Sequence, residues 1–177
     1  MTADPALAAA LRERAERDQE AAQVPGKTAG DVDRWMGIAV DNQTFLWDVL
    51  YDRGWPGNSL VGPQGSADAA VIAQHASLDR KLQRFALGCL IEAVDAGDAD
   101  PSFVAYLTDR IHLHAGAPLR YGAQYTRNDR GQYTLPPIED AETLDERRRK
   151  LGLEPLHVFE DRLRGLPGGQ HTLEERP

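Results

Sequence analysis

Apolar residues return at every third or fourth position through most of the chain, and this spacing restricts the fold more than any other feature. It matches the 3.6 residues of an α-helical turn, so each such segment would have one apolar side. Glycine and proline interrupt the pattern between segments. The sequence therefore predicts a mainly α protein, a single-domain helical bundle of about six or seven helices over residues 1–164, followed by a mobile tail over residues 165–177.

The breaks in the pattern predict where elements begin and end. Asp31 or Asp33 is expected to cap the second helix. Residues 54–65 contain four glycines and two prolines, which favours a loop, and Ser66 would then cap the third helix. Residues 119–135 alternate in polarity around a turn signal, so they predict one small β-hairpin in an otherwise helical protein.

Composition argues against several classes of protein. Hydrophobic residues make up 41% and charged residues 27%, as in a globular domain. The net charge of -8 disfavours nucleic acids and anionic membranes, because both attract basic surfaces. No apolar run reaches the roughly 20 residues that cross a bilayer, and no secretory signal is visible. With Cys89 as the single cysteine, no internal disulfide can form, so we expect a cytoplasmic protein.

Some polar residues fall on apolar helix faces. Asn42 lies between Ile38 and Phe45 on one stripe, and a buried amide must find a hydrogen-bond partner. Asp18 continues the apolar row of the first helix. There it either pairs with Arg14 on the surface or contributes to a pocket, and the sequence leaves both possibilities open.

The third helix carries the main acid–base candidate. His75 follows Ile72 by three residues on the apolar face, and Gln74 lies on the flank. An inward histidine is often a structural core residue, but its ordinary pKa near neutrality also makes it the natural proton carrier of a cleft. Trp55, in the preceding break, would either fill the core or form the wall of such a cleft.

Residues 109–124 hold the densest group of polar residues. Arg110 shares the apolar face of the fifth helix, with Asp109 beside it, and a buried guanidinium requires a partner. A Gly-Ala-Pro break follows. It would turn the chain so that Tyr121 and Gln124 return towards the same end of that helix.

Several short motifs occur together in a fixed order. They are Asp18-Gln19, Gly54-Trp55-Pro56, Gln74-His75, Asp109-Arg110, Tyr121-Gly122-Ala123-Gln124 and Arg147-Arg148. In this combination the chain resembles an uncharacterised bacterial family catalogued as domain of unknown function 6624, over about residues 10–160. The resemblance supports the choice of these residues and implies no reaction, because the family has no established activity.

Nucleotide and metal chemistry find little support. The segment Gly26-Lys27-Thr28 lacks the earlier glycine and the preceding strand of a phosphate-binding loop. His112 and His114 would point about 200° apart on a helix, so they could not share an ion. A metal site built from His75, His114 and Asp109 remains a second alternative without local ligand spacing.

The favoured hypothesis is a cofactor-independent enzyme that hydrolyses, eliminates from or cyclises a small polar or peptide-like metabolite. His75 would move the proton, Asp109 would orient it, and Arg110 would hold a carboxylate or an oxyanion. Substrate contacts are expected from Gln74, Tyr121, Gln124, Asn42, Trp55 and Asp18. The rival hypothesis is a non-catalytic binding domain in which these residues form a structural polar network. The oligomeric state stays open.

Overall fold

The computed structural model of the chain describes residues 3–22, 28–128 and 132–164. This described part is mainly α, as the apolar spacing predicts, with seven α-helices and one two-stranded antiparallel hairpin. None of its helices is long and apolar enough to cross a membrane. The elements are α1 (Pro5–Ala22), α2 (Ala29–Arg53), α3 (Asn58–His75), α4 (Arg80–Asp95), α5 (Ser102–Ala115), β1 (Thr126–Arg127), β2 (Tyr133–Thr134), α6 (Leu144–Lys150) and α7 (Leu156–Arg164).

The chain divides into two compact units, Met1–Phe103 and Val104–Pro177. The first unit contains α1 to α4, and its core consists of apolar side chains at helical spacing. Fully buried members are Leu11, Ala15, Leu46, Leu50, Ile72, Leu82 and Leu90. The predicted tail over residues 165–177 lies outside the described residues, and the single-domain organisation stays a prediction.

Contacts along α1 define the directions of its two neighbours. Asp4 N donates to Leu60 O at 2.7 Å, and Arg12 Nε donates to Asp68 Oδ2 at 3.1 Å. The residue numbers rise on both helices from the first pair to the second, so α1 and α3 are parallel. The second neighbour, α2, is antiparallel to α1, because Arg53 bonds Asp4 whereas Asp41 bonds Arg14. The C-terminal ends of α1 and α3 therefore lie level with each other.

The start of α2 differs from the expected cap. Thr28 is the capping residue, and its hydroxyl accepts the N–H of Asp31 at 3.2 Å. The Asp31 carboxylate accepts the N–H of Thr28 in return, at 2.9 Å. This reciprocal pair is a capping box, so the prediction that Asp31 or Asp33 caps the helix is wrong. Asp31 instead supplies the third position of the box.

The predicted loop over residues 54–65 is also wrong, because α3 already begins at Asn58. The Asp98 carboxylate, far away in sequence, accepts the N–H of Ser59 at 2.7 Å and so caps this end. The helix is kinked at Gly62, whose φ is 74°. Pro63 follows the kink at the start of the second helical segment, where its missing N–H removes no hydrogen bond from that segment. Ser66 is consequently a buried residue inside α3, not its cap.

The hairpin of the second unit is confirmed but is much shorter than residues 119–135. Only Thr126 with Thr134 and Arg127 with Tyr133 form the ladder. Backbone N–H groups of residues 120, 121 and 123 donate instead to the Asp109 carboxylate, so they cannot pair with a strand. The turn residues 129–131 lie outside the described residues.

Candidate functional site

Two of the residues predicted for the site, Asp18 of α1 and His75 of α3, are in direct contact. Asp18 Oδ2 and His75 Nδ1 form a hydrogen bond. The Asp18 side chain is 3% exposed, whereas that of His75 is 34% exposed. A buried carboxylate thus holds an imidazole ring that reaches solvent.

Helical spacing explains why these two side chains meet. Asp18 follows the buried residues Leu11 and Ala15 by seven and three positions, so it shares their face. His75 follows the buried Ile72 by three positions in α3. The interpretation of Asp18 as a solvated surface partner of Arg14 is therefore wrong, and the alternative inward orientation is correct.

The hydrogen bond determines which ring nitrogen is available for chemistry. An ionised carboxylate is only an acceptor, so we assign the proton of a neutral His75 ring to Nδ1. Nε2 then carries the lone pair. Among the hydrogen bonds of the described residues, the His75 ring takes part only through Nδ1, which leaves Nε2 for an incoming group.

Gln83 of α4 supports the end of α3 and was missed in the sequence. It is fully buried, and its Nε2 donates to the carbonyl oxygens of Gln74 at 3.1 Å and of Ala73 at 3.4 Å. The last carbonyls of a helix lack partners within the helix, so this amide satisfies two of them next to His75. The available signal was a glutamine beside Leu82 on an apolar helix face.

A second polar group surrounds Arg14, one turn before Asp18 on α1. Arg14 Nη1 donates to Asp41 Oδ2 at 2.6 Å and to Asn42 Oδ1 at 3.3 Å, both in α2. Arg17 Nη2 also donates to Asp41, at 2.6 Å. The hydrogen bond from Arg14 lowers the pKa of the Asp41 carboxyl group.

Asn42 is 3% exposed, and its Nδ2 has no hydrogen-bond partner among the described residues. The same holds for Nε2 of the neighbouring Gln43, which is 8% exposed. An unsatisfied buried donor costs about 1–3 kcal/mol, so such groups are uncommon in cores and call for an explanation. The sequence predicted that Asn42 would be buried and gave no hint of Gln43.

A small polar cavity lies between the last turn of α1 and the first turns of α2. Its volume is about 170 Å³, and Glu20, Ala21, Asp31 and Arg34 line it. Ala21 follows Asp18 by three residues on α1. The wall of the cavity at Ala21 is therefore about one helical turn further along α1 than Asp18.

In the second unit, Asp109 is fully buried and its carboxylate binds backbone amides. Oδ1 accepts the N–H of Arg120 at 2.7 Å and of Tyr121 at 3.0 Å, and Oδ2 accepts that of Ala123 at 2.7 Å. Burial raises the pKa of Asp109, and these hydrogen bonds act in the opposite direction. Asp109 thus folds the segment after α5 around its own side chain.

Hydrogen bonds to backbone carbonyl groups also involve two other predicted residues of this unit, Gln124 and Tyr121. Gln124 Nε2 donates to Tyr106 O at 3.2 Å. Tyr121 O accepts a hydrogen bond at 2.7 Å from Arg148, which is 2% exposed. Burial lowers the pKa of Arg110. The buried position of Arg148 was missed, because three consecutive arginines favour a solvated helix face.

Trp55 belongs to the core of the first unit, whereas Cys89 is only partly buried. Trp55 is 6% exposed, and its indole N–H donates to Ser66 Oγ at 2.9 Å inside the core. Of its two expected roles, filling the core therefore describes it. Burial raises the pKa of the Cys89 thiol, which disfavours the reactive thiolate form.

Among the described residues, no three His, Cys, Asp or Glu side chains are grouped so that they could hold a metal ion.

Comparison with known proteins identifies the family. A family model described as a family of unknown function, DUF6624, matches residues 5–168. No curated protein and no solved structure matches the chain. The resemblance predicted from the ordered motifs is confirmed: the chain belongs to the DUF6624 family of unknown function.

Proposed function

We propose that the His75–Asp18 pair is the proton-transfer site of a cofactor-independent enzyme that acts on a small polar or peptide-like compound. The observation that carries this proposal is the asymmetry of the pair. The carboxylate is 3% exposed and the ring 34% exposed, with the hydrogen bond at Nδ1. A buried carboxylate behind an accessible imidazole is the arrangement in which histidine works as a general base.

Each member of the pair has a separate role. Asp18 holds the ring in one tautomer and stabilises the positive charge that appears when Nε2 takes a proton. His75 receives that proton from water or from the substrate and returns it to the leaving group. Hydrolysis, elimination and cyclisation all need this exchange.

Asp18 takes the orienting role that the sequence hypothesis gave to Asp109. The Asp109 oxygens already accept backbone N–H groups of residues 120, 121 and 123. Gln124 likewise donates to the backbone of Tyr106. For this part of the chain we propose the alternative function, a structural polar network that shapes the segment between α5 and β1.

The proposed ligand is a small molecule rather than a nucleic acid or a membrane surface. A net charge of -8 repels phosphate groups in both. The cavity of about 170 Å³ near Asp18 has room for a small polar group. A cytoplasmic location fits a chain with one cysteine and is part of the same proposal.

Turnover by full-length variants tests the proposal. Chromogenic p-nitrophenyl esters and p-nitroanilides serve as probes. His75→Gln is expected to lower the turnover number by about 10²–10⁴-fold, the usual contribution of a general base. The control, His157→Gln, changes an exposed histidine and should leave turnover unchanged.

Melting temperatures measured in parallel show whether each variant is folded. A folded His75→Gln protein with unchanged turnover would contradict the proposal. If the wild-type protein converts no probe, the non-catalytic binding domain becomes the better description.

A further inference from the structure

Asn42 has a free hydrogen-bond donor in a buried place. Its side chain is 3% exposed, Oδ1 accepts from Arg14 at 3.3 Å, and Nδ2 has no partner among the described residues. Rotating the amide by 180° would aim two donors at each other, because a guanidinium only donates. The Arg14 contact therefore fixes Nδ2 as the unpartnered group.

The free donor lies close to the proposed proton-transfer site. Arg14 and Asp18 are four residues apart on α1, so their side chains are neighbours on one face. Asn42 contacts Arg14, and His75 contacts Asp18. Arg14 and Asp18 are about one helical turn apart, so the contacts to Asn42 and to His75 are made from successive turns of α1.

The charges of the side chains around Asn42 cancel. The two guanidinium groups of Arg14 and Arg17 both bond the Asp41 carboxylate. The second negative charge belongs to Asp18, which bonds His75. With a neutral imidazole, two positive and two negative charges sum to zero, so the place suits an uncharged acceptor better than an anion.

From the free donor, its position and this charge balance, we infer that Asn42 Nδ2 binds the carbonyl oxygen of a neutral amide or ester next to His75. This inference rests on the proposed function and specifies its substrate class. Asn42 would act as a substrate-binding residue whose hydrogen bond strengthens as negative charge develops on the oxygen.

Hydrolysis of such an amide or ester can be written with water, His75 and Asn42 alone. Water attacks the carbonyl carbon, and His75 Nε2 takes one water proton while the C=O π electrons move to the oxygen bound by Asn42. The oxyanion collapses and the bond to the leaving amine or alcohol breaks. The imidazolium returns its proton to that leaving group, which yields a carboxylic acid and the free amine or alcohol.

Nuclear magnetic resonance of the full-length ¹⁵N-labelled protein tests the binding step. N-Methylacetamide is the neutral probe and acetate the anionic one. We expect N-methylacetamide to shift the Asn42 side-chain amide signal saturably, and acetate to leave it in place. Asn42→Asp keeps an acceptor for Arg14 but loses the donor, so the response of the His75 ring signals to N-methylacetamide should disappear.

A matched control is Asn128→Asp. Asn128 belongs to the second unit, and its Oδ1 accepts the N–H of Gln132 at 2.9 Å, so this variant also retains an acceptor and loses a donor. It should bind N-methylacetamide as the wild type does. If Asn42→Asp does not fold, Asn42→Leu removes the same donor and should lose binding likewise.

Turnover separates this inference from the proposed function. Asn42→Asp should lower the turnover number for amide or ester probes by about 10²–10³-fold, the loss typical of one oxyanion donor. Binding of N-methylacetamide that depends on Asn42, without turnover that depends on His75, would support the inference and reject the enzyme. Turnover that depends on His75 but is unchanged in Asn42→Asp would overturn the inference alone, as would a shift caused by acetate instead.

Discussion

At the scale of single residues, the protein uses two buried carboxylates in different ways. Asp18 bonds one side chain, His75, and Asp109 bonds three backbone N–H groups. The sequence indicates that both are near apolar faces, because each falls next to a helical stripe. Their partners could not be predicted, because one lies 57 residues away and the others lie in a segment that reads as a strand.

Replacing Asp109 tests its structural role. Asp109→Asn keeps one acceptor oxygen but turns an amide donor towards the N–H of Ala123. We expect a loss of about 2–4 kcal/mol in the free energy of unfolding, since buried N–H groups are left without acceptors. Asp161→Asn, at an exposed ion pair with Arg164, should change it by less than about 0.5 kcal/mol. Chemical denaturation measures both, and equal stabilities would contradict this role.

The Asp41 carboxyl group should make the free energy of unfolding depend on pH. The hydrogen bond from Arg14 lowers its folded-state pKa below the ordinary value of 3.8. The stability contributed by Asp41 is therefore fully present above that value and is lost as the pH falls through the folded-state pKa. The free energy of unfolding should decline less steeply below about pH 4 in Asp41→Asn than in the wild type.

The Asp41 effect should be small, because the side chain is 52% exposed and salt screens it. Repeating the acid titration at about 1 M salt should bring the two curves together. Identical slopes at low salt would show that Arg14 does not stabilise the Asp41 carboxylate.

At the scale of elements, two helix starts depend on different kinds of information. Thr28 and Asp31 form a local capping box, so this start was visible in the sequence and only the capping residue was mistaken. The start of α3 depends on Asp98, whose carboxylate accepts the N–H of Ser59. These two residues are 39 positions apart in the sequence. A loop prediction based on glycine and proline could not include such a distant cap.

Two glycine substitutions distinguish the kink of α3 from an ordinary helix. Gly62 has φ 74° and ψ 167°, a conformation that is essentially restricted to glycine. Gly62→Ala should lower the free energy of unfolding by about 1–3 kcal/mol. Gly88→Ala in α4, where an added Cβ meets nothing within 4 Å, should raise it by about 0.5–1 kcal/mol. The urea midpoints of the two variants should therefore move in opposite directions. Midpoints that move in the same direction would contradict the kink.

At the scale of the whole molecule, the sequence predicts the architecture better than the site. The seven helices of the described residues follow from the 3.6-residue spacing, which is a local property. The site depends on which helices become neighbours, and the parallel placement of α1 and α3 brings Asp18 to His75. Helical spacing places His75 on an inward face, but it cannot identify the carboxylate beside it. Gln83 was missed for the same reason.

Membership of the DUF6624 family shows that the chain is related to other members of that family, but it does not identify a reaction. The catalytic proposal therefore depends on the contacts of His75, Asp18 and Asn42. The proton on the His75 ring connects these contacts to the proposed reaction, because a general base needs an unprotonated Nε2.

The ring tautomer of His75 is the most direct test. Long-range ¹H–¹⁵N spectra, with the His75 signals assigned from their loss in His75→Gln, show which nitrogen carries the proton of the neutral ring. We predict the proton on Nδ1 in the wild type, and loss of this preference in Asp18→Asn, whose amide can donate to Nδ1. A wild-type ring with its proton on Nε2, or a tautomer that does not change in Asp18→Asn, would contradict the role of the pair.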